Sequence, residues 1–185
     1  MRTATSHRDS MGPVLVPGGP RDLTIQRKHS RLDWAIGALC LVFILILGEA
    51  AYLEPGIRTL HLFEWLIYLL VIVLALDHSK WGYGLGLSTS AFWLGLGIFG
   101  TPFVREGIQT WAGLLRTGQI TGAMAFLAVP AAIDQFLLMA FCLLGYWRLQ
   151  NKRWSDLGIL AGSAGISIGY LATIVALFWP RLQFR

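Results

Sequence analysis

Five apolar runs, each within the ~17–25 residues that an α-helix needs to cross ~30 Å of hydrocarbon, occupy most of this chain. They cover about 34–53, 60–76, 82–104, 123–147 and 157–179. A water-soluble domain must cover its core with polar side chains. Here only 14% of the 185 residues are charged and 55% are hydrophobic, against ~25% charged in an ordinary soluble domain. The pattern predicts an all-α integral membrane protein, a bundle of about five transmembrane helices with lipid covering the outside. Trp34, Tyr52, Trp81, Tyr83, Trp147, Trp154 and Trp179 fall near the ends of the runs, at the headgroup level where amphipathic rings settle.

Between the third and fourth runs, Val104, Ile108, Trp111, Leu114 and Leu115 recur at helical spacing, while Arg105, Gln109 and Arg116 point elsewhere. That predicts a short interfacial amphipathic helix within Arg105–Gly122. It serves as a surface spacer or, in a sharper reading, as a lid over a cavity. Residues 1–31 are polar and interrupted by Gly and Pro, so a disordered basic cytoplasmic tail is expected ahead of a transmembrane domain over 32–185. Arg27, Lys28 and Arg31 stand where anionic headgroups would attract them. No apolar leader run is visible, so the first span is expected to act as the targeting signal. Short links between runs imply antiparallel neighbours. By default these features suggest a multi-pass protein of a prokaryotic inner membrane.

The net charge of +5 flanks the apolar runs, so it reads as a topology signal. Aromatic and basic residues do not interleave as they do on single-strand-binding surfaces, and no nucleic-acid partner is expected.

Polar residues inside the runs are the candidates for chemistry. Asp134 lies in the middle of the fourth, where a charge costs ~2.5–3.5 kcal/mol on insertion scales and calls for a partner. Pro130, one turn earlier, removes a backbone hydrogen bond. Glu49 lies near the end of the first run; His61 and Glu64 share a face of the second at i and i+3. The expectation is one cavity lined by Glu49, His61, Glu64 and Asp134, with Arg58 at its mouth. Carboxylates with an imidazole suit a proton or cation path, or a divalent metal; the blander alternative is polar caps at the interface with a salt bridge to Arg58. No Glu-x-x-His pair is present, and no metal or cofactor is predicted.

Cys40 and Cys142 lie in separate runs and read as packing thiols. Asp77 and His78 read as solvated loop residues. His61 and His78 stand ~25 Å apart along one helix at 1.5 Å per residue, too far to share a haem iron. Ser88 or Ser90 with His78 as base would suggest an intramembrane protease, but no Gly-x-Ser-x-Gly motif supports it. There is also no phosphate-binding or dinucleotide glycine motif.

Small residues recur every four positions at Gly82, Gly86 and Ser90, and again at Ala161, Gly165 and Gly169. Such stripes let helices approach closely, within the chain or across subunits. The sequence therefore favours a small non-enzymatic subunit or assembly partner of a larger membrane complex, its partners being the bilayer and other membrane subunits or a second copy. The alternative is a small oligomeric transporter or channel with a path through Asp134, Glu64 and Glu49. An intramembrane metal-dependent enzyme is a weaker third. Of the Lys and Arg residues near span ends, eight lie on the N-terminal side and five on the other, which predicts a cytoplasmic N-terminus. A reporter active only in the cytoplasm is therefore expected to be silent when fused at Arg185, and activity there would reverse the topology.

Overall fold

The computed structural model describes residues 30–120, 122–149 and 154–182; the tail expected over 1–31 lies outside the described residues except for Ser30 and Arg31. All regular structure among them is helical: α1 (Arg31–Leu53), α2 (Arg58–Leu76), α3 (Lys80–Gly95), α4 (Phe103–Thr117), α5 (Ala123–Arg148) and α6 (Ser155–Leu182). A 3₁₀ turn, Pro55–Ile57, joins α1 to α2, and one turn of π-helix, Leu96–Gly100, extends α3. α1, α2, α5 and α6 are each long and apolar enough to cross a membrane, and a fifth crossing results if α3 and α4 count as one broken span. Leu45, Val73, Phe136 and Leu177, one from each of these four helices, are among the many large apolar side chains that point outward.

The third apolar run does not form one straight helix. Pro102 disfavours helix at the residue before it, and Thr101 is accordingly extended. The chain turns by 75° there. Phe103 and Val104, which the hydropathy placed in the third span, instead open α4. α4 is the amphipathic helix of the sequence. It packs Gly107, Thr110 and Trp111 inward, while Ile108 and Leu115 are exposed.

α3 sits among α2, α5 and α6, and α1 packs on α2 and α5. Glycine sets these approaches. A Cβ on Gly82 would lie 2.6 Å from the Ala75 backbone of α2, one on Gly84 2.6 Å from Ser163 Oγ of α6, and one on Gly86 2.5 Å from Cys142 Sγ of α5. Because successive helical residues rotate by 100°, three neighbouring glycines serve three different helices. Ser90 is fully buried, as the other member of that stripe.

The second stripe behaves differently. Ala161, Gly165 and Gly169 are exposed, and no neighbouring atom lies within 4 Å of a Cβ placed on Gly165 or Gly169. α6 instead turns Ser163, Ser167 and Leu171 inward, where Ser167 meets Ser88 at 2.8 Å and Thr89 at 3.0 Å.

The end of the bundle holding the α2–α3 turn is tied by charge. Ser30 caps α1, and Asp33 Oδ2 accepts from the Ser30 N–H and hydroxyl. Asp33 also pairs with His78 Nδ1 at 2.9 Å and accepts from the Tyr83 hydroxyl at 2.5 Å. His78, expected to be a solvated loop residue, is thus a tertiary contact, held in a left-handed conformation with φ 53°. Lys80 of α3 binds both carboxylate oxygens of Asp156 in α6, at 2.7 and 2.8 Å.

Replacing Gly86 by Ala is expected to cost about 1–3 kcal/mol through overpacking against Cys142. Adding Cys142→Ala should recover part of it, since the Cβ of residue 142 is 3.8 Å from the new methyl. Unfolding of the two variants in detergent measures both effects; equal stability of Gly86→Ala and the parent would contradict the packing.

Candidate functional site

A cavity of about 140 Å³ lies toward the end of the bundle holding the α1–α2 turn. Its wall is almost entirely apolar. α1 contributes Phe43 and Leu47, α5 contributes Leu127 and Ala131, and Leu96, Phe103 and Val104 close it from the broken α3–α4 segment. α4 therefore takes part in the wall of the cavity through its first turn.

Five polar side chains interrupt this wall: His61 and Glu64 from α2, Trp93 from α3, Thr101 at the break before α4 and Gln135 from α5. His61 is 8% exposed and Glu64 1%. The i,i+3 spacing brings His61 Nδ1 to 2.8 Å from Glu64 Oε2. Next along α2, the Tyr68 hydroxyl donates to Gln135 Oε1 at 2.9 Å. Gln135 Nε2 reaches Asp134 Oδ2 at 3.4 Å.

The arrangement leaves polar atoms unsatisfied. His61 Nε2, Glu64 Oε1, Trp93 Nε1 and Asp134 Oδ1 are buried and have no hydrogen-bond partner among the described residues. Each such atom costs about 1–3 kcal/mol in desolvation. Three of them belong to residues lining one cavity.

The other residues singled out in the sequence are distributed as follows. Asp134 is buried but does not line the cavity; its neighbour Gln135 does. Glu49 is exposed on the outside of α1, because its neighbours Leu47 and Ala50 take the inward directions. Arg58 is exposed. Its Nε donates to the Ala51 carbonyl at 3.4 Å, and it lies over a separate shallow groove with Gly48, Tyr52 and Trp65. The expected five-residue cluster therefore reduces to His61 and Glu64 at the cavity, with Asp134 one residue removed. These two have no third His, Cys, Asp or Glu placed to complete a metal-ligand set among the described residues. Ser88 donates to the Gly84 carbonyl of its own helix at 2.8 Å, and His78, committed to Asp33, is not its base.

Trp93, Tyr68 and Gln135 were not singled out by sequence reasoning. The available signal was depth: an indole, a phenol and an amide in the middle of apolar runs, away from the interface where such groups usually lie.

α4 is fastened beside the cavity by a consequence of Pro130. Proline has no N–H for the carbonyl four residues earlier, which belongs to Phe126. The Trp111 indole N–H donates to that carbonyl at 3.0 Å. The Trp111 and Phe126 rings stack at 4.6 Å and 11°. Gly107 lets the helices close, since a Cβ there would stand 2.9 Å from the Ala125 carbonyl and 2.7 Å from the Ala128 methyl.

No protein-family model, curated protein or solved structure matches this chain. Its functional reading rests on its own geometry.

Trp111→Phe keeps the stacked ring but leaves the Phe126 carbonyl without its donor. It is expected to cost about 1–3 kcal/mol and to raise hydrogen exchange in α4 more than in α1. Unchanged exchange in α4 would mean that the indole bond does not hold it.

Proposed function

We propose that this chain is a small multi-pass membrane protein that binds an apolar molecule with a polar head, the head held at His61 and Glu64. The coarser part is plain: its helices are long and apolar enough for a membrane. The observation that carries the finer part is the combination in one cavity of an apolar wall with a buried His–Glu pair whose outward atoms lack partners. Buried polar groups are ordinarily satisfied, and a mostly apolar pocket with a few convergent polar groups is the usual form of a small-molecule site. An engineered apolar cavity of ~150 Å³ binds benzene, so this one suits a ring or a short stretch of chain.

A proton or cation path through the bundle has weaker support. The polar series Glu64, Tyr68, Gln135 and Asp134 gives way along α2 and α5 to Val71, Leu138 and Cys142, which pack with Ile36 and Cys40 in the apolar core. Glu49 lies outside that series.

The reading as a subunit of a larger complex is supported by one observation and is compatible with the cavity. The small-residue face of α6 at Ala161, Gly165 and Gly169 is exposed, no described atom lies within 4 Å of a Cβ placed on Gly165 or Gly169, and such faces suit close helix contacts in lipid. In the same reading the N-terminus faces the cytoplasm of a prokaryotic inner membrane.

Native mass spectrometry of the protein, gently extracted from its own membrane, tests both. A bound neutral small molecule is expected, and Ala132→Phe, which puts a ring into the cavity, should remove it. Retention in that variant would place the molecule elsewhere and defeat the cavity reading. Recovery in fixed ratio with other chains would establish the subunit role.

A further inference from the structure

Arg58, which the cavity leaves aside, stands over a second recess. This is the shallow groove of about 260 Å³ along the α1–α2 hairpin. α1 gives it Gly48, Ala51 and Tyr52, and α2 gives it Arg58, Leu62 and Trp65. On each helix these residues are three or four apart, so each set forms one stripe. Tyr52, Arg58 and Leu62 are exposed, so the groove opens away from the bundle, on the side that faces lipid in a membrane. α1 ends at Leu53 and α2 starts at Arg58. Arg58 is therefore at the tip of the hairpin, where headgroups lie, and Gly48 and Trp65 are roughly 8–10 Å deeper at 1.5 Å per residue.

Arg58 is the only charged residue lining the groove. Its Nε donates to the Ala51 carbonyl at 3.4 Å, which leaves the terminal nitrogens of the guanidinium to donate elsewhere. It forms no ion pair among the described residues. Two carboxylates flank the groove on α1, and neither has an ion-pair partner among the described residues. Glu54 is the C-cap of α1, level with Arg58 at the tip. Glu49, five residues earlier, is ~7.5 Å deeper. A cation and a carboxylate that share a level without pairing complement a head carrying both charges. We infer that this groove seats a phospholipid whose head joins a phosphate to a primary ammonium, the phosphate on Arg58 and the ammonium on Glu54, with an acyl chain along Leu62 and Trp65. A lipid of net negative charge would meet one cation against two carboxylates and be repelled. A quaternary ammonium has no N–H to donate to Glu54, whereas a primary one has three. The inference is independent of the cavity reading.

The test uses the full chain, stripped of lipid in detergent. It is titrated with phosphatidylethanolamine, phosphatidylcholine and phosphatidylglycerol of identical acyl chains, and bound lipid is counted by native mass spectrometry. The ethanolamine lipid is expected to bind at least about threefold more tightly than the other two, the scale of one exposed ion pair. Glu54→Gln should bring it down to the level of the choline lipid and leave the choline lipid unchanged. Arg58→Gln should weaken all three. Neither side chain is buried, so both variants keep the packed bundle. Equal binding of the ethanolamine and choline lipids by the parent would overturn the inference, as would tighter binding of the glycerol lipid. Undiminished binding in Arg58→Gln would place the lipid outside the groove and overturn it too. Ala132→Phe, which fills the cavity, is expected to keep the lipid. Loss of the lipid from that variant with its helix content intact would put the lipid in the cavity instead and defeat the groove.

Discussion

With apolar side chains covering so much of the outside, the polar groups of this chain have to find partners among themselves. That requirement organises the bundle. Asp33 collects Ser30, His78 and Tyr83. Ser167 binds the hydroxyls of Ser88 and Thr89. Tyr68 meets Gln135 in the core. In each case a polar side chain of one helix fixes the rotation and depth of another, as apolar packing against lipid-like surroundings cannot. Where the requirement is not met among the described residues, three of the seven buried atoms without a partner belong to His61, Glu64 and Trp93 at the cavity.

The two ends of the bundle differ in kind. At the α2–α3 turn, the contact of Asp33 with His78 and the ion pair of Lys80 with Asp156 hold four elements together. At the other end α3 breaks at Pro102, α4 swings away by 75°, and the cavity opens between α1, α2 and α5. The glycine approaches of α3 at 82, 84 and 86 all lie in its first two turns. Close packing is therefore concentrated where the charges are, and space is left where the polar pair is.

The helical bundle and its outward apolar surface were legible because hydropathy reports composition along the chain. The spans of α1, α2, α5 and α6 follow directly from it. The break after Gly100 was not legible, since Phe103 and Val104 are as apolar as the residues before them, and only Pro102 marked the turn. Hydropathy also gives depth without azimuth. Glu49 and Glu64 lie at similar distances from the α1–α2 turn, yet one faces outward and the other inward. The i,i+3 relation of His61 and Glu64 was readable because both lie on one helix. The Asp33–Tyr83 bond, fifty residues apart in the chain, was not, and neither was the pairing of Ser163 and Ser167 with α3 in preference to the glycine stripe beside them.

The bond between the Trp111 indole and the Phe126 carbonyl has an evolutionary corollary. The acceptor is free because residue 130 is proline; any other residue there would return an N–H to that carbonyl and compete with the indole. Positions 111 and 130 are nineteen residues apart and do not bond to each other, yet each gives the other its purpose. In related chains they are expected to change as a pair, and a lineage that lost the proline would be released from keeping the tryptophan.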